Sequence, residues 1–73
     1  MPTNSAAFID QLIALRKSKN LSQQKLADLC GLLQPAIARL ESKQAVPSLD
    51  TICKILDALD AELVIREKGA DLK

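Results

Sequence analysis

The sequence predicts an all-α fold: a single small domain, residues 1–73, of about four helices. Three observations carry that expectation. Aromatic residues make up 1% of the chain, so the core must be built from Leu, Ile, Ala and Val. Only 2 Gly and 3 Pro punctuate it, too few for a sandwich or barrel of many short strands. Apolar residues recur at helical spacing in four runs, each bounded by capping or turn residues. A chain this short buries only ~60% of the surface exposed by its unfolded form, so a lone copy is marginally stable.

The elements follow in order. Asn4 or Ser5 can cap a first helix that runs to about Ser18, because either side chain offers an acceptor to the free amides. Phe8, Ile9, Leu12, Ile13 and Arg16 define its inner face. Lys19-Asn20 breaks the pattern, and Asn tolerates a left-handed turn. Ser22 caps a second helix, Gln23 to Cys30, with Leu26, Ala27 and Cys30 inward; Gly31 ends it by accepting a positive φ. Pro35 marks a third helix from about Gln34 to Glu41 or Ser42, since a missing amide costs nothing in a first turn. Ile37 and Leu40 face inward on it. After the loop Lys43 to Pro47, Ser48 caps a fourth helix whose expected inner face is Leu49, Ile52, Cys53, Leu56 and Leu59.

The pattern then changes. Glu62-Leu63-Val64-Ile65-Arg66-Glu67 is short, rich in β-branched residues and partly alternating, which predicts a strand at about 62–67; continuation of the fourth helix is the competing reading. One strand has no partner within a four-helix chain. Leu63, Val64 and Ile65 are therefore expected to pair with a second copy, giving a homodimer with a two-stranded sheet about a two-fold axis. Residues 69–73 read as a loose tail.

Composition removes several function classes. With no His and 2 Cys, the chain lacks the material for a His-based triad, a His-ligated metal or a Cys-rich zinc site. Cys30 and Cys53 read as small apolar side chains, and the carboxylates Asp28, Asp50, Asp57 and Asp60 fall on outward faces without a partner set. No catalytic residue, metal or cofactor is expected, and no segment has the ~20 apolar residues that span a bilayer. No secretory leader is visible, so the expected compartment is the cytoplasm.

The net charge of +1 hides an uneven distribution. Between residues 16 and 43, six basic side chains (Arg16, Lys17, Lys19, Lys25, Arg39, Lys43) oppose Asp28 and Glu41, a balance of +4. Between residues 44 and 62, Lys54 opposes Asp50, Asp57, Asp60 and Glu62, a balance of −3. A basic middle beside an acidic later helix suits a polyanion on one side; a mixed solvated surface is the blander reading.

Residues 22–42 carry the most information. Ala27 lets the third helix cross the second closely, Gly31 makes the turn, Leu32 plugs the corner, and Ile37 and Leu40 anchor the later helix. Two helices at ~90–120° joined by a short Gly-containing turn form a helix-turn-helix. With Leu15-Arg16, Leu21-Ser22-Gln23-Gln24, Leu26-Ala27, Gly31, Ile37, Glu41 and Pro47-Ser48-Leu49 in register, the chain resembles the lambda-repressor/Cro-type (Xre) family over roughly residues 8 to 59.

That resemblance implies a lambda-repressor-like fold and specific roles. Ser22 and Gln23 match the start of the second helix, where DNA phosphates are contacted, and Lys43 and Gln44 match the phosphate-contacting loop after the third. Gln34, Ala36 and Arg39 match positions that face base edges: Arg39 is suited to guanine, Gln34 to adenine, and the Ala36 methyl to thymine. A helix cap for Gln34 and a surface ion pair for Arg39 are the alternatives. Arg16 and Glu41 match a structural ion pair between the first and third helices. Leu33 and Pro35 depart from the polar helix start of many relatives, which shifts weight from base contacts toward DNA shape and phosphates. The expected function is a homodimeric, sequence-specific regulator of double-stranded DNA, a repressor that binds an operator. A short chain of this kind with a terminal strand is also similar to antitoxins of the HigA/HipB type, which implies a toxin partner. A free-standing repressor is the near rival, and a protein–protein adaptor without base readout is the rival from another class.

Overall fold

The computed structural model describes residues 5–67 and contains four helices: α1 (Ser5–Ser18), α2 (Gln23–Cys30), α3 (Gln34–Glu41) and α4 (Leu49–Ala58). Asn4 and the tail at 69–73 lie outside the described residues. α2 and α4 begin on side-chain caps, where Ser22 Oγ accepts from Lys25 N–H and Ser48 Oγ from Thr51 N–H. α3 begins on Leu33, which offers no side-chain cap; Pro35 removes one of the amides that would need one.

All four helices end the same way. A 6→1 hydrogen bond and a 5→2 hydrogen bond close a left-handed residue at each C-terminus. The pairs are Leu21 N–H to Arg16 and Asn20 N–H to Lys17, then Leu32 to Ala27 and Gly31 to Asp28. Gln44 to Arg39 with Lys43 to Leu40, and Ala61 to Leu56 with Asp60 to Asp57, complete the set. The left-handed positions are Asn20 (φ 59°), Gly31 (φ 72°), Lys43 (φ 64°) and Asp60 (φ 54°). Gly accepts this conformation freely and Asn and Asp tolerate it; Lys43 is the odd one.

The core is one aliphatic cluster: Ile9, Leu12, Leu26, Ala27, Ile37, Leu40, Ile55, Leu56 and Leu59. Ala27, with no exposed surface, sits in the core where α2 meets its neighbours. The inner face of α4 differs from expectation. Leu49 and Cys53 are exposed, whereas Ile55 is buried with Leu56 and Leu59. The apolar arc of α4 is wider than the strip that α2 covers, because Leu49, Cys53 and Leu56 continue the arc past Ile52 at about 100° per residue. That uncovered edge forms one wall of an open groove of about 330 Å³, completed by Ala61, Glu62 and Leu63. Cys30 is half-buried rather than fully inward; burial pushes its thiol pKa up, and the Lys54 charge opposes this only in part.

Residues 61–67 form neither helix nor strand in the single chain. Continuation of α4 is thus excluded, since Asp60 turns left-handed and caps it. A strand needs a ladder partner, and among the described residues none lies beside this segment. Nor is any described helix long and apolar enough to cross a membrane.

Gly31 supplies a direct test of how the turn is made. A Cβ placed there would meet nothing within 4 Å, so only its φ of +72° resists substitution. Gly31→Ala should lower the unfolding free energy by about 1–2 kcal/mol in a denaturant melt. A neutral outcome would mean that the turn does not require the left-handed conformation.

Candidate nucleic-acid interface

The site is assembled on a buried charge. Arg16, 8% exposed, reaches from α1 to the end of α3 and clamps Glu41 with two hydrogen bonds, Nε to Oε2 at 2.7 Å and Nη2 to Oε1 at 2.8 Å. Its third donor, Nη1, reaches the Leu21 carbonyl at 2.6 Å. That bond joins α1 to the residue just before the Ser22 cap. Burial by itself would raise the Glu41 pKa; the hydrogen bonds from Arg16 and Gln23 and the charges of Arg16 and Lys17 outweigh it and hold the carboxyl below its ordinary value.

The network continues to the surface. Gln23 Nε2 donates to Glu41 Oε1 at 3.0 Å, and Gln34 Nε2 donates to Gln23 Oε1 at 2.9 Å. A single chain of contacts, Arg16–Glu41–Gln23–Gln34, therefore runs from the interior to the first residue of α3. Each amide oxygen and hydrogen in it is oriented by the charge behind it, since a carboxylate accepts and cannot donate. Gln34 still holds its Oε1 and a second N–H for an outside group. Spacing did not disclose this link. Its only trace in the sequence is that both glutamines open helices, eleven residues apart.

α3 shows two faces. Ile37 (1% exposed) and Leu40 (5%) anchor it to the core, and Arg39 points to solvent between them in sequence. Gln34 and Ala36 are half-buried, so of the three residues expected at base edges only Arg39 projects fully. Leu33, at 77%, is among the most exposed apolar side chains of the described residues, beside the start of the same helix. Ser22, expected at a phosphate, is exposed with its Oγ committed to the α2 cap; Gln44 is exposed with its backbone N–H on Arg39. Lys43 is exposed but bonded through Nζ to Asp10 Oδ1 at 2.6 Å, a contact that sequence reading missed.

Because Arg16 and Glu41 neutralise each other inside, the exposed basic groups of the first three helices and the loop after them are Lys17, Lys19, Lys25, Arg39 and Lys43; Lys54 and Arg66 are exposed further along the chain. The acidic residues Asp50, Asp57, Asp60 and Glu62 are exposed on α4 and beyond it. Charge separation along the sequence thus becomes separation between elements.

The ion pair and the carboxyl shift yield a prediction of stability. Arg16→Ala, leaving Glu41 buried without its cation, should cost about 3 kcal/mol or more and unfold much of the protein at room temperature. The double change Arg16→Met with Glu41→Leu should recover most of that loss. Glu41 has a folded pKa below its unfolded one, so its contribution is present above the unfolded value, about 4.5, and is lost as pH falls through the folded one. The melting temperature of the wild type should accordingly drop on acidification below about pH 5 more steeply than that of Glu41→Gln. Parallel curves would contradict the assignment.

Comparison with known proteins places the chain. Residues 12–65 match the family described as "Helix-turn-helix". An uncharacterized HTH-type transcriptional regulator of Haemophilus influenzae is 42% identical over 59 residues, covering 81% of this chain and 60% of that protein. Antitoxin HigA1 of Mycobacterium tuberculosis is 42% identical over 56 residues, 77% of this chain and 38% of the relative. The HTH-type transcriptional regulator AnsR of Bacillus subtilis is 41% identical over 63 residues, 82% and 54% respectively. The chain thus spans between 38% and 60% of the length of these curated relatives. On this match and on its α2–turn–α3 unit, the chain belongs to the helix-turn-helix family of the lambda-repressor/Cro type.

Proposed function

We propose that this protein is a sequence-specific, double-stranded DNA-binding transcriptional regulator. The observation that carries the reading is the two-faced α3: Ile37 and Leu40 lock one side into the core while Arg39 projects from the other, just beyond the left-handed Gly31 turn. A short helix held this way fits a major groove, where a guanidinium can bond guanine O6 and N7 together. Gln34, oriented by Gln23, keeps one acceptor and one donor, the pair that an adenine edge needs. The Ala36 methyl is suited to a thymine methyl. Ser22, Gln23, Lys43 and Gln44 flank α3 and are suited to phosphates on either side.

A homodimer completes the reading. Leu63, Val64 and Ile65 are 49%, 69% and 94% exposed, and Leu49 adds another 64%. Leaving these side chains in water is unfavourable for a chain of this size, and a second copy related by a two-fold axis can cover them by pairing residues 62–67 as strands. Two α3 helices then meet half-sites about one helical turn, ~34 Å, apart. Occupation of an operator by such a dimer excludes other proteins from the same groove, which makes repression the expected outcome. The relative named an antitoxin supports a further step, in which this chain also holds a toxin partner. Co-expression with the product of the neighbouring reading frame should then give a stable complex; two proteins that separate on a sizing column would remove that step.

Two experiments test the core of the proposal. Arg39→Ala should flatten discrimination between the best site of a selected duplex and its mutated versions by about 1–3 kcal/mol, as read by competition binding. Gln44→Ala, at a phosphate position outside the Gln23–Gln34 link, should weaken all duplexes about equally; selectivity untouched by Arg39→Ala would refute the readout role. For assembly, Ile65→Asp should shift sedimentation from dimer to monomer, and an unchanged mass would refute the paired segment. An adaptor that does not read DNA would show no duplex affinity beyond a weak basic-patch effect.

A further inference from the structure

Lys43 combines two features that no other described residue shares. It is the one left-handed helix-ending position held by neither Gly, Asn nor Asp, so its backbone is under a strain that Gly would relieve. Its ammonium is also carried across to α1, 33 positions back in sequence, where Nζ lies 2.6 Å from Asp10 Oδ1. The closing turn fixes the direction of the stem through Lys43 N–H to Leu40 at 3.1 Å and Gln44 N–H to Arg39 at 2.9 Å. Asp10 is the only acidic residue on α1 and stands 64% exposed opposite the 40% exposed lysine. An exposed pair of this kind adds little to folding, so stability does not account for a strained lysine at this turn.

We infer that Asp10 is an intramolecular stand-in for a DNA phosphate: it occupies and aims Lys43 in the free protein, and a phosphate displaces it on binding. This rests on the DNA-binding reading above. A carboxylate oxygen and a phosphate oxygen ask the same thing of an ammonium, a short charge-assisted hydrogen bond. Exchange of one for the other makes the contact selective for a phosphate that the docked duplex holds at the right place. A phosphate met by chance must compete with a carboxylate already in position. Asp10 is therefore a positioning residue that lowers affinity for every duplex and keeps non-specific binding in check.

The test is a double-mutant cycle read on DNA. Wild type, Asp10→Asn, Lys43→Ala and the double variant are titrated against a fluorescein-labelled random-sequence duplex over a range of salt. Asp10→Asn should bind about two- to fivefold more tightly per chain engaged, the range set by exposed ion pairs, with the gain shrinking as salt rises. Lys43→Ala should weaken binding and reduce the salt slope by about one. In the Lys43→Ala background, Asp10→Asn should have less than half its effect. Thermal melts of all four should stay close together, because a merely structural pair would move stability and not the cycle. Salt-dependent binding by the wild type with no gain in Asp10→Asn overturns the inference and leaves the DNA-binding reading standing. An equal gain in both backgrounds also overturns it, since Asp10 would then repel the duplex without acting through Lys43. A wild type with no affinity for duplex overturns both.

Discussion

The Arg16 guanidinium is the point on which the rest of the structure depends. It is the one buried cation among the described residues, and three of its donors hold two places that must keep a fixed relation. Two reach Glu41 at the end of α3, and one reaches the carbonyl that precedes α2. A hydrophobic cluster can hold helices together without fixing their rotation or register, because dispersion has little directionality. A planar fork on a carboxylate does fix them. Burial makes the constraint strict, since a charge taken out of water tolerates no second-best geometry.

The same charge reaches the surface through amides. Glu41 orients Gln23, and Gln23 orients Gln34, so a side chain at the solvent edge of α3 inherits its direction from an ion pair in the interior. Preorganisation of this sort reduces the conformational entropy lost when a ligand arrives. Folding and the direction of that surface amide are thereby linked through one hydrogen-bonded line. By contrast, Arg39 is exposed, and ordering a long exposed side chain costs rotamer entropy.

The sequence made the helices legible because local chemistry governs their ends. Ser22 and Ser48 announce caps, Asn20 and Gly31 announce left-handed stops, and Pro35 announces a first turn. What lay beyond it was tertiary. The apolar arc of α4 admits either Leu49 and Cys53 or Ile55 on its inner side, and only the approach of α2 decides between them. Asp10 and Lys43 have no common pattern in sequence, and Gln23 and Gln34 meet only because α2 and α3 cross where they do. In the candidate interface, the exposed positions of Ser22, Arg39, Lys43 and Gln44 could be read in advance, whereas Gln23, Gln34 and Ala36 proved half-buried and the partners of these side chains were not legible. Residues 62–67 show the opposite case. Their alternation speaks for an extended segment, yet alternation names no partner, and a single chain contains none among the described residues.

Charge is unevenly divided among the elements. The exposed lysines and Arg39 of the first three helices and the following loop suit a polyanion, while the exposed carboxylates of α4 and the residues after it do not, and the groove beside Leu63 lies among the latter. The most direct measurement is a backbone amide chemical-shift map of the full chain titrated with a duplex selected from a random pool. The account predicts shifts concentrated at Ser22–Lys25 and from Gln34 through Gln44, with Leu49, Cys53 and Leu63 unmoved. Shifts concentrated on that second group, or none on α3, would contradict it.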